Sequence, residues 1–197
     1  MSLRVYLFRH GQTEFNAEGR LQGQLDSPLT PLGRSQAQRF GHALMERVNP
    51  EDVTILASPL GRVRETAEHL MEAAGLRNEI RFDPRLMELS VGEWEGLTEY
   101  DIDAQWPGAL AGKDRYSWLF RAPGGETYED LERRVTRVWM DIQGCPTSDC
   151  IVISHGVTGR VLRGLHGGLP RNVAMRLDAP QDAFFRLTTN ACDRFDC

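Results

Sequence analysis

Two short apolar runs, residues 3–9 (Leu-Arg-Val-Tyr-Leu-Phe-Arg) and 151–154 (Ile-Val-Ile-Ser), each end in a His-Gly pair, His10-Gly11 and His155-Gly156, and give way to more polar sequence. Their length and β-branched or aromatic content predict buried strands. Similar runs predict strands at 53–57, 79–82 and 183–187, so five is the minimum count. Between them the apolar spacing changes to i, i+3, i+4, i+7. Thr30-Pro31 supplies an N-cap and an N1 proline ahead of Leu32, Ala37, Phe40, Leu44 and Val48. Ser58-Pro59 repeats that start signal ahead of Leu60, Val63, Ala67, Leu70, Met71 and Ala74, with Gly75 as the expected stop. A third helical face carries Tyr128, Leu131, Val135, Val138, Trp139 and Ile142, and a fourth, after Gly156, carries Val157, Val161, Leu162 and Leu165.

Alternating strands and helices predict an α/β fold, a three-layer α/β/α sandwich on a mostly parallel central sheet. Ligands of such folds bind beyond the carboxyl ends of the strands. The chain has no internal repeat and no linker, so residues 1–197 are expected to form one domain. Residues 97–123, with Pro107, Gly108, Gly112 and Pro123, are the least regular stretch and read as a lid-like excursion.

With 41% apolar and 26% charged residues among 197, the composition excludes collagen, disorder and a membrane protein. The N-terminus has no signal-type apolar stretch, so a cytoplasmic location is expected. Cys145, Cys150, Cys192 and Cys197 show no C-x-x-C spacing and read as free thiols. The net charge of −5 does not favour nucleic acid or an anionic membrane as partner, so any anion must be caught locally. All basic residues but Lys113 are arginine, and most of these read as solvated.

Local capture is what the polar residues suggest. Arg9-His10-Gly11, Ser58 with Arg62, and Ser154-His155-Gly156 all fall where an apolar strand gives way to a helix or loop. Helix N-termini there offer free N–H groups and partial positive charge, and glycine permits close approach, which together suit phosphate. Two histidines could instead ligate a metal, but arginines beside them oppose a cation, and no Asp or Cys joins them at ligand spacing. A neutral imidazole can attack phosphorus when arginines neutralise the phosphoryl oxygens. The leaving alkoxide then needs a proton donor. Glu88, between Met87 and Leu89, is the candidate, expected in a setting apolar enough to raise its pKa; a helix cap or salt bridge is the other reading of the same residue.

These residues resemble the histidine phosphatase superfamily, also called phosphoglycerate-mutase-like, over nearly the whole chain. Arg9-His10-Gly11-Gln12-Thr13-Glu14-Phe15-Asn16 fits the R-H-G-x-T-x-x-N signature and continues through Leu21-Gln22-Gly23, Asp26, Leu29-Thr30 and Gly33. Ser58-Pro59-Leu60-Gly61-Arg62 with Thr66-Ala67, Glu88 ahead of Gly92-Glu93-Trp94-Glu95-Gly96, and Val152-Ile153-Ser154-His155-Gly156 follow in the right order. The resemblance implies a phosphoglycerate-mutase-like fold, with His10 as the nucleophile that becomes phosphorylated. Arg9, Arg62 and His155 would form the phosphate pocket, and Glu88 would be proton donor and later base. It places Asn16, Gln22 and Gly23 near phosphate or substrate, with the Gly156 N–H in reach. No metal or other cofactor is implied. His10 should donate one ring nitrogen to a backbone carbonyl, and His155, if protonated, would add positive charge.

Phosphatases and mutases of the family share the phosphohistidine and differ in whether water or a substrate hydroxyl accepts the phosphoryl group. Bisphosphoglycerate-dependent mutases carry a long insertion after the W-E-G segment, whereas only Leu97 to Ala122 separates Gly96 from Pro123 here. Pro123-Gly124-Gly125-Glu126-Thr127 resembles the P-G-G-E-S segment of the phosphatase branch. The expected activity is hydrolysis of a small phosphorylated metabolite by a monomer or homodimer, in the manner of α-ribazole phosphatases or broad-specificity phosphatases. The alternatives are a 2,3-bisphosphoglycerate-dependent mutase and a phosphate-binding module without turnover. Glu126 either touches substrate or caps the helix that begins near Thr127. Trp94, Trp106, Tyr116, Trp118 and Phe120 either cover the substrate or form a local core. His42, His69 and His166 are read as surface or helix-end residues.

Overall fold

The computed structural model of the protein describes residues 3–111 and 115–197; Gly112, counted above in the excursion, lies outside them. In chain order the elements are β1 (Arg4–Arg9), α1 (Glu14–Ala17), α2 (Pro31–Leu44), β2 (Val53–Ala57), α3 (Gly61–Ala74) and β3 (Ile80–Phe82). Then follow α4 (Glu99–Gln105), α5 (Arg115–Trp118), α6 (Tyr128–Gln143), β4 (Asp149–Ser154), α7 (Gly156–Gly167), α8 (Arg171–Ala174), β5 (Ala183–Thr188) and β6 (Ala191–Asp196). The strands form one sheet in the order β3-β2-β4-β1-β5-β6.

Alternation along the strands builds two cores, one on each face of that sheet. From β1, Val5 and Leu7 join one cluster and Tyr6 and Phe8 the other; from β4, Cys150 and Val152 divide from Ile151 and Ile153 in the same way. The first cluster is closed by α6 and α7, the second by α2 and α3. This is the three-layer arrangement expected from the alternation of elements.

The sheet is less uniformly parallel than expected. β3, β2, β4 and β1 run parallel, but β5 pairs antiparallel with both β1 and β6. The β5–β6 hairpin needs no crossover helix, so its strands can oppose each other. β6 itself escaped the sequence reading because it is an edge strand with alternating exposed residues and one large apolar side chain, Phe195, stacked on Phe184 at 5.2 Å.

Helix starts differ in an informative way. Thr30 caps α2 as expected, its side chain accepting from the Gly33 N–H, although Leu32 faces outward and the buried Val48 lies beyond the helix end. Ser58 does not cap α3. The N-cap is Leu60, and the Asp26 carboxylate accepts instead from the N–H groups of Gly61 at 2.7 Å and Arg62 at 3.3 Å. A capping carboxylate from another segment does the same work as a local one, worth about 1 kcal/mol, and also ties the 23–26 turn to α3. Gly75 is left-handed at φ 67°, the stop its position predicts.

The described parts of the 97–123 excursion are more regular than their composition suggests. α4 begins with a reciprocal cap between Thr98 and Asp101. Trp94 packs against both Trp106 and Trp118, with ring centroids 6.3 and 5.8 Å away, so these three form a local core. Phe120 stands edge-on to Tyr128 at 5.4 Å. No helix among the described residues is long and apolar enough to cross a membrane.

Candidate active site

Because β1 and β4 pair in parallel, Arg9 lies opposite Ser154, and the two His-Gly corners leave the same edge of the sheet. β2 runs parallel to β4 and delivers Ser58 and the start of α3 to that edge. The chain binds itself there at close range: a Cβ on Gly11 would stand 2.3 Å from the Gly33 carbonyl oxygen, so only glycine lets the corner after β1 meet the first turn of α2.

His10 is 3% exposed, and its Nδ1 lies 2.7 Å from the Gly11 carbonyl oxygen. A carbonyl only accepts, so Nδ1 carries the proton and Nε2 keeps its lone pair. Burial, with the charges of Arg62 and Arg9, holds the ring's pKa well below the ordinary 6.5. The second ring, His155, stands edge-on at 5.3 Å between centroids. Burial, then Arg62 and His10, push its pKa well down too, which favours the neutral ring. Its Nε2 meets Ser58 Oγ at 2.8 Å, while Nδ1 is buried with no partner among the described residues.

Arg62, 1% exposed, is the pocket's most deeply buried charge. Nη1 donates to the Leu25 carbonyl at 2.8 Å and Asp26 at 3.2 Å, and Nη2 to the Gly23 carbonyl at 2.7 Å. Its Nε has no partner, a buried donor suited to an anion. Arg9 is oriented by the Ala179 carbonyl, 2.6 Å from Nη1. A cavity of about 220 Å³ brings Arg9, His10, Arg62 and Glu88 together with Asn16, Gln22, Gly23 and Gly156; His155 is buried beside His10 without lining it. Tyr116, Leu119 and Arg160 complete its outer wall.

Glu88 does not sit in the apolar setting expected. Its Oε1 accepts from the N–H of Leu89 at 3.0 Å and of Thr158 at 3.1 Å, and its Oε2 from the N–H of Val157 at 3.0 Å. The carboxyl group therefore rests on the N–H groups of the first turn of α7, the position of a helix cap. Glu126 is absent from the cavity wall altogether: both carboxylate oxygens face Arg134, at 2.7 and 2.8 Å, while Thr127 caps α6.

His10, buried and neutral, thus stands with Arg9 and the buried Arg62 at the cavity. The sequence profile of the histidine phosphatase superfamily (branch 1) matches residues 5–193. This chain belongs to that superfamily. A probable phosphoglycerate mutase from Salmonella choleraesuis is 38% identical over 182 residues, 89% of this chain and 80% of that one. A glucosyl-3-phosphoglycerate phosphatase from Mycobacterium tuberculosis is 43% identical over 133 residues, 66% of this chain but only 56% of its own length. The structure of a mycobacterial glucosyl-3-phosphoglycerate phosphatase complexed with VO3 superposes with a TM-score of 0.79 at 29% identity, covering 99% of each chain.

For a histidine phosphatase, several supporting contacts were not assigned from sequence, although Ser58 had been placed at the same strand edge as Arg62. Ser58 orients His155, and Asp26 holds both the α3 start and Arg62. Gln181 donates to the His10 carbonyl at 3.2 Å and to Asn16 Oδ1 at 2.9 Å. Glu95 Oε1 accepts from the Gln24 N–H and Ser90 Oγ, joining the 22–24 turn to the Glu88 segment. Ser58, Asp26 and Glu95 fall inside the quoted motifs, which was the available signal; Gln181 lies in none.

Two buried neutral histidines carry a stability consequence. Below pH 6.5 the unfolded chain binds two protons that the folded site refuses, so stability falls as pH falls, until the depressed folded pKa values are reached. Each histidine contributes a slope of about 1.4 kcal/mol per pH unit in that window. Urea titrations between pH 6.5 and 5 should show it, and His155→Asn should remove about half of the slope; an unchanged slope would mean that His155 does not titrate this way.

Proposed function

We propose that the chain is a metal-independent phosphomonoesterase that hydrolyses a small phosphorylated metabolite through a phosphohistidine on His10. The observation that carries this reading is the Nδ1 proton of His10 committed to the Gly11 carbonyl, with the free Nε2 flanked by Arg9 and Arg62. In the first step Nε2 attacks phosphorus and the bond to the leaving oxygen breaks. Arg9, Arg62 and His155 hold the equatorial oxygens, with Asn16, Gln22, Gly23 and the Gly156 N–H around them. Glu88 gives its proton to the leaving alkoxide. It then takes a proton from the water that attacks phosphorus and releases phosphate and neutral His10.

Family membership, the phosphatase relative and the VO3-bound phosphatase structure support this reading. The short stretch between Gly96 and Pro123 supports water as acceptor rather than a second substrate hydroxyl. The relative named as a mutase keeps phosphoglycerate isomerisation as the second reading. The deciding experiment measures phosphate release in EDTA from α-ribazole phosphate, phosphoserine, 3-phosphoglycerate, glucosyl-3-phosphoglycerate and nitrophenyl phosphate. Each is run with and without 2,3-bisphosphoglycerate. Release without the bisphosphate is expected, and one substrate far ahead of the rest identifies the metabolite. Isomerisation of 3-phosphoglycerate that requires the bisphosphate would establish the mutase instead.

Glu88→Gln tests the proton donor. General acid catalysis is worth about 10²–10⁴-fold where the leaving group is a poor one. In single-turnover formation of the phosphoenzyme, alkyl phosphates should slow by that order while nitrophenyl phosphate, whose leaving group needs no proton, slows little; loss of the base slows the later breakdown of the phosphoenzyme equally for both. Equal slowing of formation with both would remove Glu88 from the acid role.

A further inference from the structure

Four consecutive carbonyls in the segment that carries Glu88 are bound by side chains rather than by a regular ladder. Arg134 takes those of Arg85 at 2.8 Å, Met87 at 2.7 Å and Glu88 at 3.0 Å. Ser154 Oγ takes Leu86, and Thr158 Oγ1 also takes Met87, at 2.9 and 2.7 Å. Unpaired carbonyls in a half-buried turn are costly, and here one guanidinium satisfies three of them.

Arg134 is placed for this alone. It projects from α6, and its Nε and Nη2 also pair with the two oxygens of Glu126 at 2.7 and 2.8 Å. A guanidinium has five N–H donors, and these contacts engage five acceptor positions. No donor remains for a phosphoryl oxygen. Glu126 in turn is fixed by its own N–H on the Ser90 carbonyl at 2.9 Å, so the pair brackets residues 85–90. Both side chains are largely buried, 18% and 16% exposed, where a bidentate ion pair fixes the plane of the guanidinium.

We propose that Arg134, oriented by Glu126, is the positioning residue of Glu88: it fixes the backbone of residues 85–88 so that the carboxyl group faces the leaving oxygen. The inference rests on the reading of Glu88 as proton donor. Glu126, matched by sequence to a substrate-proximal motif, then acts through two intermediaries and touches no substrate.

The test is a double-variant cycle read on two substrates. Arg134→Met should lower the single-turnover rate of phosphoenzyme formation by ~30–100-fold with an alkyl phosphate, within the range of a displaced general acid, and by less than ~3-fold with nitrophenyl phosphate. KM should stay nearly constant for both. Glu126→Gln, which keeps the shape and one acceptor, should show the same selectivity with a smaller loss and a folded protein by circular dichroism. Combined with Glu88→Gln, Arg134→Met should slow the alkyl substrate no further than Glu88→Gln alone, because both remove one function. Equal losses on the two substrates, or additive losses in the double variant, would overturn the proposal. If Glu88→Gln itself lacks leaving-group dependence, the reading of Glu88 falls instead, so the two failures are distinguishable.

Discussion

Alanine at position 10 abolishes turnover and leaves no acid-labile phosphoenzyme: this is the largest effect expected of any single substitution. The nucleophile is one nitrogen, made available because the other is committed to the Gly11 carbonyl at 2.7 Å. Nothing else in the cavity can replace it. His155 is the nearest ring, but its Nε2 is engaged by Ser58 and its centroid is 5.3 Å away. The arginines remain, so phosphate should still bind while kcat falls by at least ~10³-fold, the scale seen when a covalent nucleophile is removed. Rapid quench into base with radiolabelled substrate measures both quantities. A phosphoenzyme persisting in His10→Ala would move the nucleophile elsewhere. His10→Asn controls for the small buried cavity that alanine leaves.

Arg62→Lys is expected to be the next most damaging change, losing about 10²–10³-fold in kcat/KM, the cost of removing one preorganised donor to the developing charge. The reason is geometric. Both Nη atoms are occupied by the Gly23 and Leu25 carbonyls and Asp26, which leaves the buried Nε as the donor without a partner among the described residues, and an ammonium group cannot span those acceptors and an anion together. The loss should be similar for alkyl and nitrophenyl phosphates, because it acts on the transferring group rather than the leaving oxygen. That separates it from Glu88→Gln. Arg62→Ala should also destabilise the fold, since each abandoned buried carbonyl costs about 1–3 kcal/mol. Thermal denaturation of the two variants distinguishes the contributions. Activity in Arg62→Lys within about tenfold of the parent would show that charge alone suffices at this position.

The arrangement also explains why a chain of net charge −5 can hold a phosphate monoester. Binding is local: Arg9, Arg62, His10 and the start of α7 line one small cavity. Burial first, and then the charges of Arg62 and Arg9, hold the His10 ring neutral, so the arginines that would attract a dianion also help to keep that ring unprotonated.

Much of this was legible in the chain. Short apolar runs ending in His-Gly are local signals, and a parallel β1–β4 pair necessarily sends both corners to one edge. That is why His10, Arg9, Arg62 and His155 could be grouped before any coordinates. Glu88 lines the expected cavity, and its contacts with the N–H groups of α7 match the helix-cap reading of the residue rather than the apolar one. Glu126 was the clearest miss. Motif position brings it near the pocket, but the side chain turns to Arg134, eight residues along.

Short-range order thus determined the strands, the helix faces, the Gly75 stop and the residue types able to transfer phosphate. Tertiary structure alone decided the partners: Asp26 capping α3, Ser58 turning from a cap to His155, Arg134 collecting three carbonyls, and β5 closing antiparallel on β1. The physical reason is range. A periodic pattern reports which face of an element is buried, whereas a hydrogen bond between residues tens of positions apart leaves no periodic trace and exists only once the packed sheet has brought its ends together.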